Sequence, residues 1–321
     1  MKVALFSFLG LLIITGAVIG YVFTKMNNVA SGAQQELERG DRSELRENTV
    51  NPINDPISIL FLGLDSRDGD LSGRTDAMVL ATFNPEDNSI KMLNIPRDSR
   101  VEIVGRDRLD KINHAHAFGG LDMTIATVEN LLNIPVDYFV SLNFDAFMDI
   151  VDELGGVTVN SPRTFTERDN ATYGTITIHE GEQRLNGQEA LAYVRMRKSD
   201  PRGDLGRGER QKEVIESIIK EATSFSSITR FGPMMDALGN NLKTNLGFNS
   251  VIRMHTYASS LNNIDSLSFK GGNLMLNGIY YYELDEQSVR EISEELQIHL
   301  NMIEAPEPEE LEEQQEGQEG L

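Results

Sequence analysis

The spacing of apolar positions changes along this chain, and each change predicts a different kind of element. Val3 to Thr24 is an uninterrupted uncharged run bounded by Lys2 and Lys25. At 1.5 Å per residue a helix over it is roughly 33 Å long, enough for a bilayer core. Residues 1–25 are therefore expected to form a transmembrane anchor. A cleaved signal peptide is the alternative, but its apolar region is usually shorter, and the small residues from Ala30 to Ala33 make a poor cleavage site. Residues 26–56 are polar and charged, with few large apolar side chains, which is the composition of a stalk or linker.

From Ile57 the pattern becomes that of a folded domain. Ile57 to Leu64, Ala77 to Phe83 and Ile90 to Ile95 are compact apolar runs. The latter two are joined by the turn-forming Asn84-Pro-Glu-Asp-Asn88, so three strands are predicted, the last two as a hairpin. Leu121, Ile125, Val128, Leu131 and Leu132 recur at helical spacing, and Tyr138 to Phe144 reads as a strand. Phe147, Ile150, Val151 and Leu154 mark a helix stopped by Gly155-Gly156. Further helices are predicted over Gly187–Tyr193, Gly208–Ala222, Ser250–Leu261 and Glu286–Leu300. Interleaving of the two periods predicts an α/β fold: a single α-β-α domain over 57–303 with helices covering a central mixed sheet, preceded by one transmembrane helix. The tail 304–321, rich in Pro, Glu, Gln and Gly, has little to bury and is expected to be disordered.

Composition then narrows the partners. With 321 residues, 40% of them hydrophobic, the chain can bury a substantial core. The absence of cysteine excludes disulfides, thiolate metal sites and a cysteine nucleophile. A net charge of −21 argues against nucleic acid, whose phosphates are bound by basic surfaces. The charge is uneven. Glutamates crowd the tail from Glu304 to Glu319 with no basic residue among them, whereas basic residues outnumber acidic ones from Arg195 to Lys212. A local cationic patch in an acidic protein suits an anionic ligand. Around the anchor, Lys2 precedes the span and Lys25, Arg39, Arg42 and Arg46 follow it. Long domains translocate largely regardless of nearby charge, so a short cytoplasmic tail and an extracytoplasmic domain are expected, in a single-pass protein of the cell membrane.

Several familiar chemistries have no support. The five histidines form no HExxH or comparable spacing, and no Walker loop or GxGxxG occurs. Ser217-Ile-Ile-Lys220 matches an S-x-x-K pattern but lies inside an apolar-striped helix, with no SDN or KTG after it. What remains are carboxylates and arginines at element ends. Asp65 follows the first strand and Asp76 sits just before the second, so neighbouring strands would bring both to one sheet edge. Two hard oxygen ligands with open positions suit Mg²⁺, which keeps waters and takes phosphate oxygens; each Asp could equally form a turn or cap a helix. Arg97 follows the third strand in Ile95-Pro-Arg-Asp-Ser99, where a guanidinium could fork onto phosphate or make a surface ion pair. Arg195 and Arg197 point the same way if that segment is extended, and Arg207 and Gln211 share one helical face. Arg207 and Arg210 stand at a predicted helix start, where the macrodipole disfavours cations unless an anion is shared. That anion could be a bound phosphate or a protein carboxylate such as Asp204, with Asp200 and Glu209 also in reach.

Taken together, these stretches resemble the LytR-CpsA-Psr family of cell-wall glycopolymer transferases. The likeness runs in order through Phe61-Leu-Gly-Leu-Asp65, Gly73-Arg-Thr-Asp76, Asn94-Ile-Pro-Arg-Asp-Ser99, Lys111-Ile-Asn113 with Gly119-Gly120, and Gly155-Gly-Val157. It continues through Leu185 to Arg197 and Asp204 to Gln211. The resemblance implies an apolar cavity for a lipid tail and a magnesium-dependent phosphotransferase, with Mn²⁺ as the alternative ion. Its substrates would be a polyprenyl-pyrophosphate-linked glycopolymer such as wall teichoic acid, capsule or secondary wall polymer, and a peptidoglycan acceptor. By matched position, Asp65 and Asp76 would hold the metal and Arg97 would be catalytic. Arg74, Lys111, Arg195, Arg197, Arg207 and Gln211 would bind pyrophosphate, with Asp204 in support. Helix Leu121–Leu132 could line the lipid cavity or simply pack the core. A lipid pyrophosphohydrolase and a non-enzymatic anionic-polymer binding protein are the rival readings.

Overall fold

A computed structural model describes residues 34–66, 71–168, 174–197, 200–222, 241–246, 257, 260 and 263–305, without the side chains of 204, 205, 219 and 222. The expected anchor, most of the predicted helix Ser250–Leu261 and nearly all of the acidic tail lie outside the described residues. Among the described residues no helix is long and apolar enough to cross a membrane.

Strand β1 (Ile57–Leu64) is apolar at almost every position because both of its faces are covered, as expected for the interior of a layered sheet. It runs antiparallel to β2 (Thr75–Asn84) and parallel to β6 (Tyr138–Asn143). β2 continues antiparallel into β3 (Ser89–Asn94). The edges are β11 (Leu242–Thr244) beside β6 and β12 (Ile264–Ser268) beside β3, giving a mixed six-stranded sheet in the order β11-β6-β1-β2-β3-β12.

The period of two sorts side chains to opposite faces. On one face, Leu60 and Leu62, Met78 and Leu80, Leu93 and Phe139 form a core with helix α1 (His114–Leu132) and the C-terminal helix α5 (Glu286–His299). Leu121, Ile125, Val128 and Leu132 therefore pack this core, which settles that helix's role. Gly120, with φ of 65° and ψ of −149°, breaks α1 one turn after its start. On the opposite face, Ile57, Ile59, Val79, Ala81, Ile90 and Met92 form a second cluster.

A third cluster joins α2 (Phe144–Glu153), α3 (Gly187–Arg195) and α4 (Asp204–Ala222) to the ladder of β7 (Val157–Ser161) with β10 (Gly181–Leu185). The small hairpin of β8 (Phe165–Arg168) and β9 (Thr175–Ile178) adds Phe165 and Ile178. Two more hairpins, β4 (Arg100–Ile103) with β5 (Arg108–Lys111) and β13 (Gly271–Leu276) with β14 (Ile279–Leu284), flank the end of β3. Ser217, of the S-x-x-K match, accepts a bond from the Thr158 amide at 2.9 Å and so ties α4 to β7.

The segment read as a stalk differs from that expectation over its described part. Leu37 is buried in the first core, Arg39 pairs with Glu129 at 2.6 Å, and Arg46 pairs with Asp137 at 2.7 Å. Charge density made the segment look like a linker. The same charges are what fasten it to the domain.

Candidate active site

A cavity of about 450 Å³ opens between the second sheet face and the third cluster. Its walls are apolar: Phe61 and Val79 from the sheet, Phe147 and Ile150 from α2, Leu191 from α3, Ile215 from α4. The polar residues that reach it come from strand ends and from the end of α3 and the first turns of α4. The β1–β2 register shifts between Gly63 and Leu64, and such a bulge re-aims the side chains that follow it. Asp65 thereby stands exposed beside the start of β2, where Asp76 also borders the cavity. Gly63 keeps this sheet face open, since a Cβ there would lie 3.1 Å from the Ala77 Cβ.

Arg97 sits in the tight turn after β3, closed by the Ser99 amide bonding to the Pro96 carbonyl at 2.9 Å. Its carbonyl also accepts from the Asn113 amide at 3.2 Å, which fixes the turn against the start of α1. From there its guanidinium donates to Asp76 Oδ1 and borders the cavity. The adjacent Asp98 is buried and gathers cations. Its Oδ1 accepts from Lys111 Nζ at 2.8 Å, while its Oδ2 lies 3.7 Å from Arg197 Nη2 and 3.8 Å from Arg97 Nε. Sequence reasoning gave Asp98 no role of its own, although it gathers these cations. The only signal was its place beside Arg97.

Arg195, Arg197, Arg207 and Gln211 all border the same cavity. The shared face of Arg207 and Gln211 on α4 is as their spacing predicts. Arg195 differs from expectation, because it lies in the last turn of α3 rather than in an extended segment. A capping box of Asn186 with Glu189 starts that helix, and buried Ala190, Leu191 and Val194 carry it through Arg195. The chain leaves the helix only at Met196, with φ of −55° and ψ of 127°. Arg195 then stands with its guanidinium carbon 4.7 Å from the centre of the Phe144 ring.

Arg210 turns away from the cavity. Its Nη1 pairs with Asp200 Oδ2 at 2.6 Å, and its Nε and Nη2 donate to the carbonyls of Tyr193 and Met196. Burial by itself would raise the Asp200 carboxyl, but the bond from Arg210 holds it below the usual carboxylate range. The anion that this helix start shares through Arg210 is therefore Asp200. The Asp204 side chain lies outside the described residues.

Two matched positions do not border the cavity. Arg74 is exposed in the loop before β2, and Lys111 joins the site only through Asp98. His116 donates from Nδ1 to the Gly73 carbonyl, 2.9 Å away, and anchors that loop; burial pushes its imidazole below its ordinary value. Among the described residues no group of three or more His, Asp or Glu is arranged for a metal. Asp65 and Asp76 are two carboxylates that border the cavity, and one Asp76 oxygen is taken by Arg97. That set fits a hard cation that keeps most of its coordination for water and phosphate.

The comparisons with known proteins agree with this layout. The LytR_cpsA_psr family model matches residues 20–298. The curated polyisoprenyl-teichoic acid–peptidoglycan teichoic acid transferase TagU of Bacillus subtilis (strain 168) is 45% identical over 298 residues, covering 92% of this chain and 94% of that one. The crystal structure of B. subtilis TagT has a TM-score of 0.70 and 39% identity, over 83% of this chain and 100% of that chain. The structure of YwtF (TagT) with bound octaprenyl pyrophosphate lipid has a TM-score of 0.68 and 37% identity, over 83% of this chain and 99% of that chain. The α/β domain with its central mixed sheet is shared with these structures; the chain belongs to the LytR-CpsA-Psr family.

Proposed function

We propose that this protein is a phosphotransferase that moves a teichoic-acid-type anionic glycopolymer from a polyprenyl-pyrophosphate carrier onto peptidoglycan. One observation carries the reading: Asp65, Asp76, Arg97, Arg195, Arg197, Arg207 and Gln211, from five separate stretches of chain, meet at one apolar cavity. An apolar hollow edged by guanidinium groups matches a ligand with a hydrocarbon tail and a pyrophosphate head. The name of TagU and the lipid bound in TagT support it.

In this reading the polyprenyl tail fills the cavity and the pyrophosphate lies at its mouth. Arg97, Arg195, Arg197 and Arg207 neutralise the phosphate oxygens, and Gln211 donates beside Arg207. A peptidoglycan hydroxyl, by family resemblance the 6-hydroxyl of N-acetylmuramic acid, attacks the phosphorus that carries the glycopolymer. The bond from that phosphorus to the bridging oxygen breaks, polyprenyl monophosphate leaves with the electron pair, and a phosphodiester remains. Phosphoryl transfer needs alignment and charge neutralisation more than covalent help, and this site is built for both. Asp76 already accepts from Arg97, which leaves Asp65 better placed to take the hydroxyl proton.

Asp65 and Asp76 would hold Mg²⁺, with Mn²⁺ as the alternative. When bound, the ion would neutralise charge on the phosphate oxygens. Val3–Thr24 would anchor the protein in the cell membrane as a single span, with the catalytic domain outside the cytoplasm, where carrier lipid and wall meet. The test is incubation of the full chain with a lipid-pyrophosphate glycan, with and without peptidoglycan. Phosphodiester-linked product that requires the acceptor supports transfer, and acceptor-independent phosphate release would assign hydrolysis instead.

A further inference from the structure

The hairpin of β13 and β14 carries no family motif, yet it is fixed to the catalytic turn. The Tyr282 amide donates to the Asp98 carbonyl at 2.9 Å, and Tyr282 bridges to Ser99 as a short parallel step. Continuing back along β14, Tyr281 and Tyr280 come beside the cations of the site. Lys111 Nζ lies 5.7 Å from the Tyr281 ring centre and 5.9 Å from that of Tyr280, and the Arg197 guanidinium carbon lies 5.8 Å from the Tyr280 ring. The Tyr280 hydroxyl donates to Asn273 Oδ1 across the hairpin at 2.8 Å, which holds the ring in place. Both rings are half-buried, and the hairpin tip beyond them exposes Met275 and Ile279, at 61% and 50%. An apolar, aromatic surface therefore stands immediately outside the phosphate cations, on residues that do not border the lipid cavity.

We propose that Tyr280 and Tyr281 form the acceptor subsite, a platform on which a pyranose ring of the peptidoglycan glycan stacks while its hydroxyl attacks. This rests on the transfer reading. In phosphoryl transfer the attacking and leaving oxygens lie roughly in line through phosphorus. The leaving oxygen belongs to the polyprenyl phosphate, whose tail occupies the cavity, so the attacking hydroxyl must arrive from the side remote from it. Arg97 and Arg197 edge the cavity, and the Arg197 guanidinium carbon lies 5.8 Å from the Tyr280 ring, while neither tyrosine borders the cavity. The platform thus adjoins the cations at the cavity's edge without entering the space given to the tail. A pyranose presents an axial C–H face that packs on an aromatic ring and equatorial hydroxyls that bond at its edge, and tyrosine offers both an apolar face and a polar tip. The Lys111 and Arg197 cations beside the rings would donate hydrogen bonds to the sugar's hydroxyl oxygens without repelling a neutral sugar.

The experiment uses the full chain in detergent, a short lipid-pyrophosphate disaccharide as donor and a soluble, peptide-free peptidoglycan oligosaccharide as acceptor. Tyr280→Ala and Tyr281→Ala should each raise the acceptor KM about tenfold with the donor KM unchanged, while Tyr280→Phe and Tyr281→Phe, which keep the ring and lose the hydroxyl, should raise it far less. Unchanged acceptor KM in the alanine variants would overturn the proposal, and a rise confined to the donor KM would overturn it by giving the platform to the donor's own sugar. Binding of the oligosaccharide alone, read by saturation-transfer NMR, separates this idea from the transfer reading. If wild-type protein transfers nothing yet passes saturation to the oligosaccharide, and Tyr280→Ala and Tyr281→Ala do not, the platform stands and the transferase reading fails; saturation undiminished in both alanine variants, or absent in wild type, sinks the platform.

Discussion

Arg210 and Asp200 pair at 2.6 Å with side chains only 2% and 0% exposed, three residues from Arg207, which edges the cavity. One helix start therefore holds two cations with different tasks, separated by less than a turn. Arg207 faces the ligand space and Arg210 fastens α4 to the end of α3.

Arg210→Ala should accordingly unfold the protein more easily, because it strands a buried carboxylate; removal of one partner from such a pair costs about 3 to 5 kcal/mol. Chemical denaturation measures this. Turnover of the variant that remains folded at low temperature should stay near wild type, whereas Arg207→Ala should lower turnover with little change in stability.

Arg97→Ala should leave the fold intact and reduce transfer by about a hundredfold to a thousandfold, since loss of one positioned stabiliser costs about 2.7 to 4 kcal/mol. Arg97→Lys should recover only part of this, because an ammonium cannot hold Asp76 and a phosphate oxygen with one planar fork. Steady-state kinetics on purified variants decide it; transfer at the wild-type rate by Arg97→Ala would remove Arg97 from the chemistry.

Asp98 organises three cations without bordering the cavity. Asp98→Ala should lower the unfolding free energy by about 2 kcal/mol, the scale of a charged hydrogen bond lost, and should raise the KM for the lipid donor as Lys111 and Arg197 lose their anchor. A melting curve paired with donor titration reads both effects.

His299 lies buried against the sheet, its Nδ1 2.7 Å from Thr82 Oγ1 and its Nε2 2.9 Å from Ser89 Oγ. Burial, with the nearby Lys91 charge, pushes its imidazole down to about 4. The unfolded chain then binds a proton that the folded one does not, so stability conferred by neutral His299 is complete above pH of about 6.5 and is lost as pH falls toward about 4. Unfolding free energies across that window should show the slope in wild type, and His299→Gln should flatten it.

Much of the fold was legible because burial on both faces leaves a strong apolar signature. Ile57–Leu64 was read to the residue, and Arg207 with Gln211 followed from helical spacing alone. The short hairpins were not legible, since β4, β5, β13 and β14 mix polar and apolar positions and have no run long enough to show a period. Asp98 escaped for a different reason. Lys111 and Arg197 reach it from far along the chain, and only the sheet edge brings them together. The segment 34–56 was misjudged because its charges are satisfied by distant partners, Glu129 and Asp137, that no local pattern reveals.

The most direct test is a crystal structure of the protein with a polyprenyl pyrophosphate bound. We expect the tail between Phe61, Phe147 and Leu191, and phosphate oxygens within hydrogen-bonding distance of Arg97 and Arg207. A pyrophosphate lodged away from both arginines, with the cavity filled by something other than the prenyl chain, would contradict the proposed transfer site.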